Sequence, residues 1–158
     1  MRYTQKYALV HFIHPIELNV EFDMSDWPLH VTLADVFAID RPGTAIDAKL
    51  HRLLSNYPAV ETYATENTKL SNTPVVLVDN NEMLLRLHFQ IITLLIENGA
   101  RFNNPEFTRD GYVPHSTVQK QGNILQGESV RIDSLTLVDM FPANNWKRGR
   151  VVADFKLS

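Results

Sequence analysis

Apolar residues recur along this chain with two periods, and the switches between them divide it into strands and helices. Lys6–Ile13, rich in Tyr, Val, Phe and Ile, reads as a first strand ended by His14-Pro15. Ile16, Leu18, Val20 and Phe22 alternate with polar neighbours, which predicts an extended piece before the turn Met24-Ser25-Asp26-Trp27-Pro28. Leu29–Ile39 predicts the next strand, stopped by Asp40-Arg41-Pro42-Gly43. Helical spacing then takes over. Ile46, Leu50, Leu53 and Leu54 form one stripe on a helix from Ala45 to about Asn56, capped by Thr44 and closed by Pro58. Ala59–Thr65 and Pro74–Val78 are expected as strands separated by a polar turn. The clearest helix runs over Asn80–Asn98, where Asp79 with Glu82 fits a capping box and Gly99 stands at the C-terminal cap. Its polar residues Arg86, Gln90, Thr93 and Glu97 form one narrow stripe, so the remaining aliphatic arc should pack against a sheet. A loop over Arg101–Gly111 leads to a strand at Tyr112–Gln119. Two more strands, Ser129–Phe141 and Arg150–Leu157, are joined by Pro142–Gly149 and end the chain. Five to seven strands with one good helix in each half predict an α+β protein of two similar lobes.

Composition narrows the class. A chain of 158 residues forms one compact domain, 1–158, with 44% hydrophobic and 21% charged residues, as in soluble globular proteins. It has no cysteine, which excludes disulfides and thiolate metal sites. Met1–Val10 is charged and has no long apolar run, so no signal peptide is expected, and Met83–Ile96 is too short and interrupted to span a bilayer. A cytoplasmic monomer is the expectation. The net charge of −3 argues against an extended nucleic-acid surface. Residues 1–100 carry 7 basic and 12 acidic side chains, and residues 101–158 carry 8 and 6, so the basic excess sits in the second part. Lys120, Arg131, Lys147, Arg148 and Arg150 supply it, as a solvated surface or as a local anion site.

Two tetrapeptides carry candidate chemistry, His30-Val31-Thr32-Leu33 and His115-Ser116-Thr117-Val118. Side chains alternate along a strand, so His30 and Thr32 share one face, and His115 and Thr117 share another. Two such faces opposed across a cleft give two imidazoles and two hydroxyls around a small space. A phosphodiester needs a proton removed from the attacking oxygen and one delivered to the leaving oxygen, and imidazole suits both roles. Threonine hydroxyls suit the non-bridging oxygens, where charge grows. No carboxylate cluster at ligand spacing points to a metal, and no cofactor is expected. His11, His14, His51 and His88 read as structural or exposed. Tyr112 and Trp146 are candidates for stacking on a base, although a tyrosine at a strand end also fits a core. Trp146 has less structural reason for its place, in a polar turn beside Lys147 and Arg148.

With both motifs set in strands in opposite halves, the chain resembles the 2H phosphoesterase superfamily, which includes 2′-5′ RNA ligase-like proteins and the cyclic nucleotide phosphodiesterases of tRNA splicing. Pro114 introduces the second motif as is common there. Arg148-Gly149-Arg150 falls where bacterial relatives often carry a basic turn with glycine, and Lys120 falls where many have arginine. The resemblance implies a two-lobed fold of antiparallel sheets with helices outside and a pseudo-two-fold axis through a central cleft. It implies metal-independent hydrolysis or transfer at 2′,3′-cyclic phosphate or 2′-5′ phosphodiester linkages of a small nucleotide or RNA terminus. His30, Thr32, His115 and Thr117 would then be catalytic, with Lys120, Trp146, Arg148, Arg150 and Tyr112 as substrate contacts. Which imidazole is acid and which is base stays open. A non-catalytic nucleotide or RNA-end-binding module on the same fold is the alternative.

Overall fold

In the computed structural model, which describes residues 5–158, the first apolar run folds as strand β1 (Lys6–Phe12). The first four residues of the N-terminal segment read above lie outside the described residues. With β2 (Glu21–Asp23), β3 (His30–Ala38), β6 (Arg101–Phe102), β9 (Ser134–Asp139) and β10 (Arg148–Lys156), β1 forms a six-stranded antiparallel sheet in the order β2-β10-β9-β1-β3-β6. A four-stranded antiparallel sheet combines β4 (Val60–Leu70), β5 (Thr73–Val78), β7 (His115–Thr117) and β8 (Ser129–Ile132) in the order β7-β5-β4-β8. Each sheet holds one motif.

Helices α2 (Ile46–Ser55) and α3 (Glu82–Glu97) close the main core. They contribute Ile46, Leu50 and Leu54, and Leu84, Leu87, Ile91, Ile92 and Leu95, to a core shared with Leu9, Val31, Leu33, Val76 and Ile132 of both sheets. Arg86, Gln90, Thr93 and Glu97 are exposed, as the stripe predicts. The other face of the six-stranded sheet carries a separate apolar cluster of Ala8, Val10, Phe12, Phe22, Val138 and Val151. The expected α+β architecture of antiparallel sheets with helices outside is therefore observed.

Several boundaries differ from the expectation. Asp40-Arg41-Pro42-Gly43 does not simply stop a strand. It opens the single turn α1 (Arg41–Thr44), whose Gly43 N–H donates to the Asp40 carboxylate at 3.0 Å. Ala45, left-handed at φ 52°, then separates α1 from α2, so Thr44 cannot cap α2 and donates to Asp40 O instead. At α3 the cap is Asn81, which accepts from Leu84 N–H at 2.9 Å. Asp79 makes no capping box, because its backbone N–H is paired with Tyr63 O and Glu82 is paired with Arg86. The long apolar run Ser129–Phe141 is two strands. β8 belongs to the smaller sheet and β9 to the larger, and Asp133 alone joins them. The alternation Ile16–Phe22 yields only the short edge strand β2, and the second motif strand is shorter than predicted.

One irregularity bears on the site. Val10 pairs with Thr32 and Leu9 with Ala34, so Leu33 has no partner on β1 and forms a β-bulge. The bulge explains why Leu33 and Ala34 are both fully buried although adjacent in a strand.

Candidate active site

The two motif histidines are held in the same way. His30 Nδ1–H donates to Pro28 O at 2.8 Å, and His115 Nδ1–H donates to Val113 O at 2.7 Å. In each case the acceptor lies two residues back, so a local turn fixes both the ring and its tautomer. Neither Nε2, nor the hydroxyl of Thr32 or Thr117, is hydrogen-bonded among the described residues. Strand register orients them. His30 and Thr32 lie opposite Phe12 and Val10 of β1, on the face away from the helices. His115 and Thr117 lie opposite Leu77 and Val75 of β5, while Ser116 points into the core beside Val76. β3 faces β7 across a gap that no strand hydrogen bond bridges, since β7 is the edge of its own sheet.

His30 is walled by aromatic rings. Trp27 lies 4.6 Å away between centroids with a 36° tilt, and Phe12 lies 6.0 Å away. Phe22 backs Trp27 at 4.8 Å. Burial drives the His30 pKa down to about 4; the bond to Pro28 O opposes that shift, and the charge of His115 adds to it. The two imidazoles are thus close enough to sense each other.

Phe22 in turn lies across Gly149. A Cβ there would stand 2.6 Å from the Phe22 ring, which explains the glycine of Arg148-Gly149-Arg150 as a packing requirement. That tripeptide is strand β10, not a turn. Gly149 and Val151 face the Phe22 cluster, so alternation turns Arg148 and Arg150 to the other face of the sheet. Arg148 Nε is 3.7 Å from Glu21, and Arg150 donates to Asn19 at 3.2 Å.

A model of the 2′-5′ RNA ligase superfamily matches residues 8–139, a span that includes both motifs. The chain belongs to that superfamily. A search of curated proteins found no match. Among solved structures, Escherichia coli LigT complexed with 3′-AMP aligns over 98% of both chains with a TM-score of 0.63 and 13% identity. A Thermus thermophilus protein aligns over 96% of this chain and 97% of its own, with a TM-score of 0.62 and 15% identity. A crystal structure described only as that of a phosphoesterase aligns over 98% of both, with a TM-score of 0.60 and 15% identity. At such identities the likeness establishes the fold.

In this superfamily member the remaining predicted contacts scatter. Lys120 is exposed, and it and Arg148 lie close enough to Asp23 to act on its carboxyl, which Ser25 chiefly holds below the usual range. Trp146 is 69% exposed with Lys147 Nζ 5.7 Å over its ring. It sits in the β9–β10 connection at the Tyr7 end of the sheet, whereas His30 sits at the Phe12 end. Tyr112 is not open for stacking on that side. His88 covers its ring at 3.8 Å and 5°, and its hydroxyl donates to Thr32 O at 2.7 Å. Two residues near the site were not predicted, Trp27 and His88. Their signals were a Trp-Pro pair just before the first motif and a lone histidine off the polar stripe of α3. Among the described residues there is no group of three metal-ligating side chains, and no helix long and apolar enough to cross a membrane.

His88 makes stability depend on pH. It is 1% exposed, and burial lowers its pKa to about 4. Below about pH 6.5 the unfolded chain binds a proton there that the folded chain refuses, so the contribution is whole above pH 6.5 and lost as pH falls toward 4. Urea unfolding at pH 5 should give about 2 kcal/mol less stability than at pH 7 from this group. His11, also lowered by burial, acts in the same direction. H88Q should show a smaller loss between the two pH values; an equal loss would remove His88 as its source.

Proposed function

We propose that the protein is a metal-independent phosphoesterase that hydrolyses or transfers at 2′,3′-cyclic phosphate or 2′-5′ phosphodiester linkages of a small nucleotide or RNA terminus. The observation that carries this reading is the matched pair of imidazoles, each with Nδ1 tied to a carbonyl two residues back, Nε2 left unbonded, and a threonine two residues on along the same strand. His30, kept neutral by its aromatic surroundings, takes the proton from the attacking water or ribose hydroxyl. His115, the partner imidazole, gives a proton from Nε2 to the leaving ribose oxygen. In hydrolysis of a cyclic phosphate one P–O bond forms to water and one to the ribose breaks, and the two imidazoles exchange protonation states. Thr32 and Thr117 donate to the non-bridging oxygens as charge develops there. The capture of 3′-AMP by E. coli LigT supports a small nucleotide in such a cleft.

The test is incubation with the four 2′,3′-cyclic nucleotides in EDTA, with products read by phosphorus NMR. A single nucleoside monophosphate isomer is expected, formed at the same rate with and without chelator. Loss of turnover in EDTA, restored by zinc or manganese, would overturn the mechanism. Binding without turnover would leave a nucleotide-binding module in place of an enzyme.

A further inference from the structure

The two motifs lie on strands of different sheets, so no backbone ladder sets their spacing. We infer that His88 and Tyr112 set it, as a stacked pair of positioning residues joining the first motif to the chain that enters the second. This rests on the function proposed above and adds two residues to it.

The stack begins on α3, where His88 is the one polar group among Leu84, Leu87, Ile91, Ile92 and Leu95 on the buried face. A buried imidazole needs partners for both nitrogens. His88 Nδ1–H donates to Leu33 O at 2.7 Å, and Nε2 accepts from Arg109 N–H at 2.9 Å. Both partners require the neutral ring, because a proton on Nε2 would point at the Arg109 N–H. Arg109 has φ 58°, a left-handed conformation that a non-glycine residue keeps only when held there. The ring face of His88 is covered by Tyr112, whose hydroxyl reaches Thr32 O.

The two carbonyls are adjacent. In a regular strand, successive carbonyls point in opposite directions, toward the two neighbouring strands. The bulge at Leu33 turns Thr32 O and Leu33 O to the same side, where the stacked rings receive both. One end of this unit therefore holds the backbone of Thr32 itself. The other end comprises Arg109 and Tyr112, and Tyr112 is three residues before His115. On the opposite flank, Gln119 Oε1 accepts from Trp27 N–H at 3.1 Å and Gln121 Nε2–H donates to Trp27 O at 2.8 Å. The stack is the tie that acts directly on a motif residue.

Two groups that must hold one phosphate between them lose rate steeply with small displacements. Y112F removes one hydroxyl and keeps the stack; H88Q keeps a donor and an acceptor and loses the stack. Each variant should lower kcat on a 2′,3′-cyclic nucleotide about ten-fold while KM stays within about two-fold, the pattern of lost transition-state alignment. H88A should do worse than H88Q, which can still reach Leu33 O and Arg109 N–H. Independently of any substrate, the ring resonances of both His30 and His115 in the ligand-free protein should shift in Y112F, although neither ring touches Tyr112. Unshifted rings with full kcat and only a lowered melting temperature would reduce the stack to a core element and overturn the inference. If the wild-type chain turns over no cyclic nucleotide, the proposed function fails, and the ring resonances alone decide the role of the stack.

Discussion

Replacing either motif histidine by alanine should lower turnover of a 2′,3′-cyclic nucleotide about a thousand-fold, within the range that one positioned acid or base contributes. The loss should fall on kcat, because the threonine hydroxyls and the rest of the cleft still hold the phosphate. The double variant should be little worse than either single one. A reaction that needs one proton removed as another is delivered gains little from half of the pair. His30 packs under Trp27, so H30A also opens a gap; H30N keeps polar volume there and separates lost chemistry from lost packing. His115 has no such cover, and H115A should melt within a few degrees of wild type. Either variant retaining near-full kcat in a stopped or continuous assay of monophosphate release would refute the paired mechanism.

The second large effect concerns pH. With His30 held at a pKa of about 4, the acid limb of kcat/KM should lie near pH 4, well below the range of a free imidazole. The sign follows from the base role, since activity needs the neutral ring and is lost as pH falls through its pKa. Removing the ring packed nearest to it by W27A should hydrate His30 and raise its pKa toward 6.5. At pH 5 the variant should then lose activity on the order of ten-fold beyond any loss it shows at pH 8. A pH–rate profile of wild type and W27A from pH 4 to 9 measures this. If the acid limb stays in place in W27A, His30 is not the base whose titration controls the rate.

Much of this was legible in the sequence because it depends on local parity. His-x-Thr in a β-type run places both side chains on one face wherever the strand goes, and the polar stripe of α3 states which side is wet. The failures are where a local signal met a tertiary one. Nothing in Ser129–Phe141 marks the passage at Asp133 from one sheet to the other, because both strands are apolar enough to be buried and no breaker separates them. The Asp79–Glu82 pair satisfies the capping pattern, yet Asn81 is closer to the helix start and pairing with Tyr63 already engages the Asp79 backbone. Arg148-Gly149-Arg150 reads as an anion-binding turn until Phe22, a residue more than a hundred positions earlier, is placed on the glycine. The wall of Trp27 on His30 and the cover of His88 on Tyr112 were equally hidden. The second is a contact between separate segments. The first, though only three residues apart, is made by a turn that brings the indole back over the ring; periodicity registers neither.

The outer side of β3 is an open strand edge, the kind of surface on which a foreign chain can add itself and start an aggregate. Here it is closed piece by piece. β6 pairs with Phe37 and Ala38, Asn103 N–H reaches Val36 O, the imidazole of His88 takes Leu33 O, and the phenol of Tyr112 takes Thr32 O. Backbone, ring nitrogen and hydroxyl alternate as partners over seven residues, and the bulge breaks the regular spacing that an incoming strand would need. The face beside His30 can thus stay open to a phosphate while the edge stays shut to another polypeptide. A change at His88 or Tyr112 would uncover part of that edge, so such variants bear watching for self-association as well as for rate.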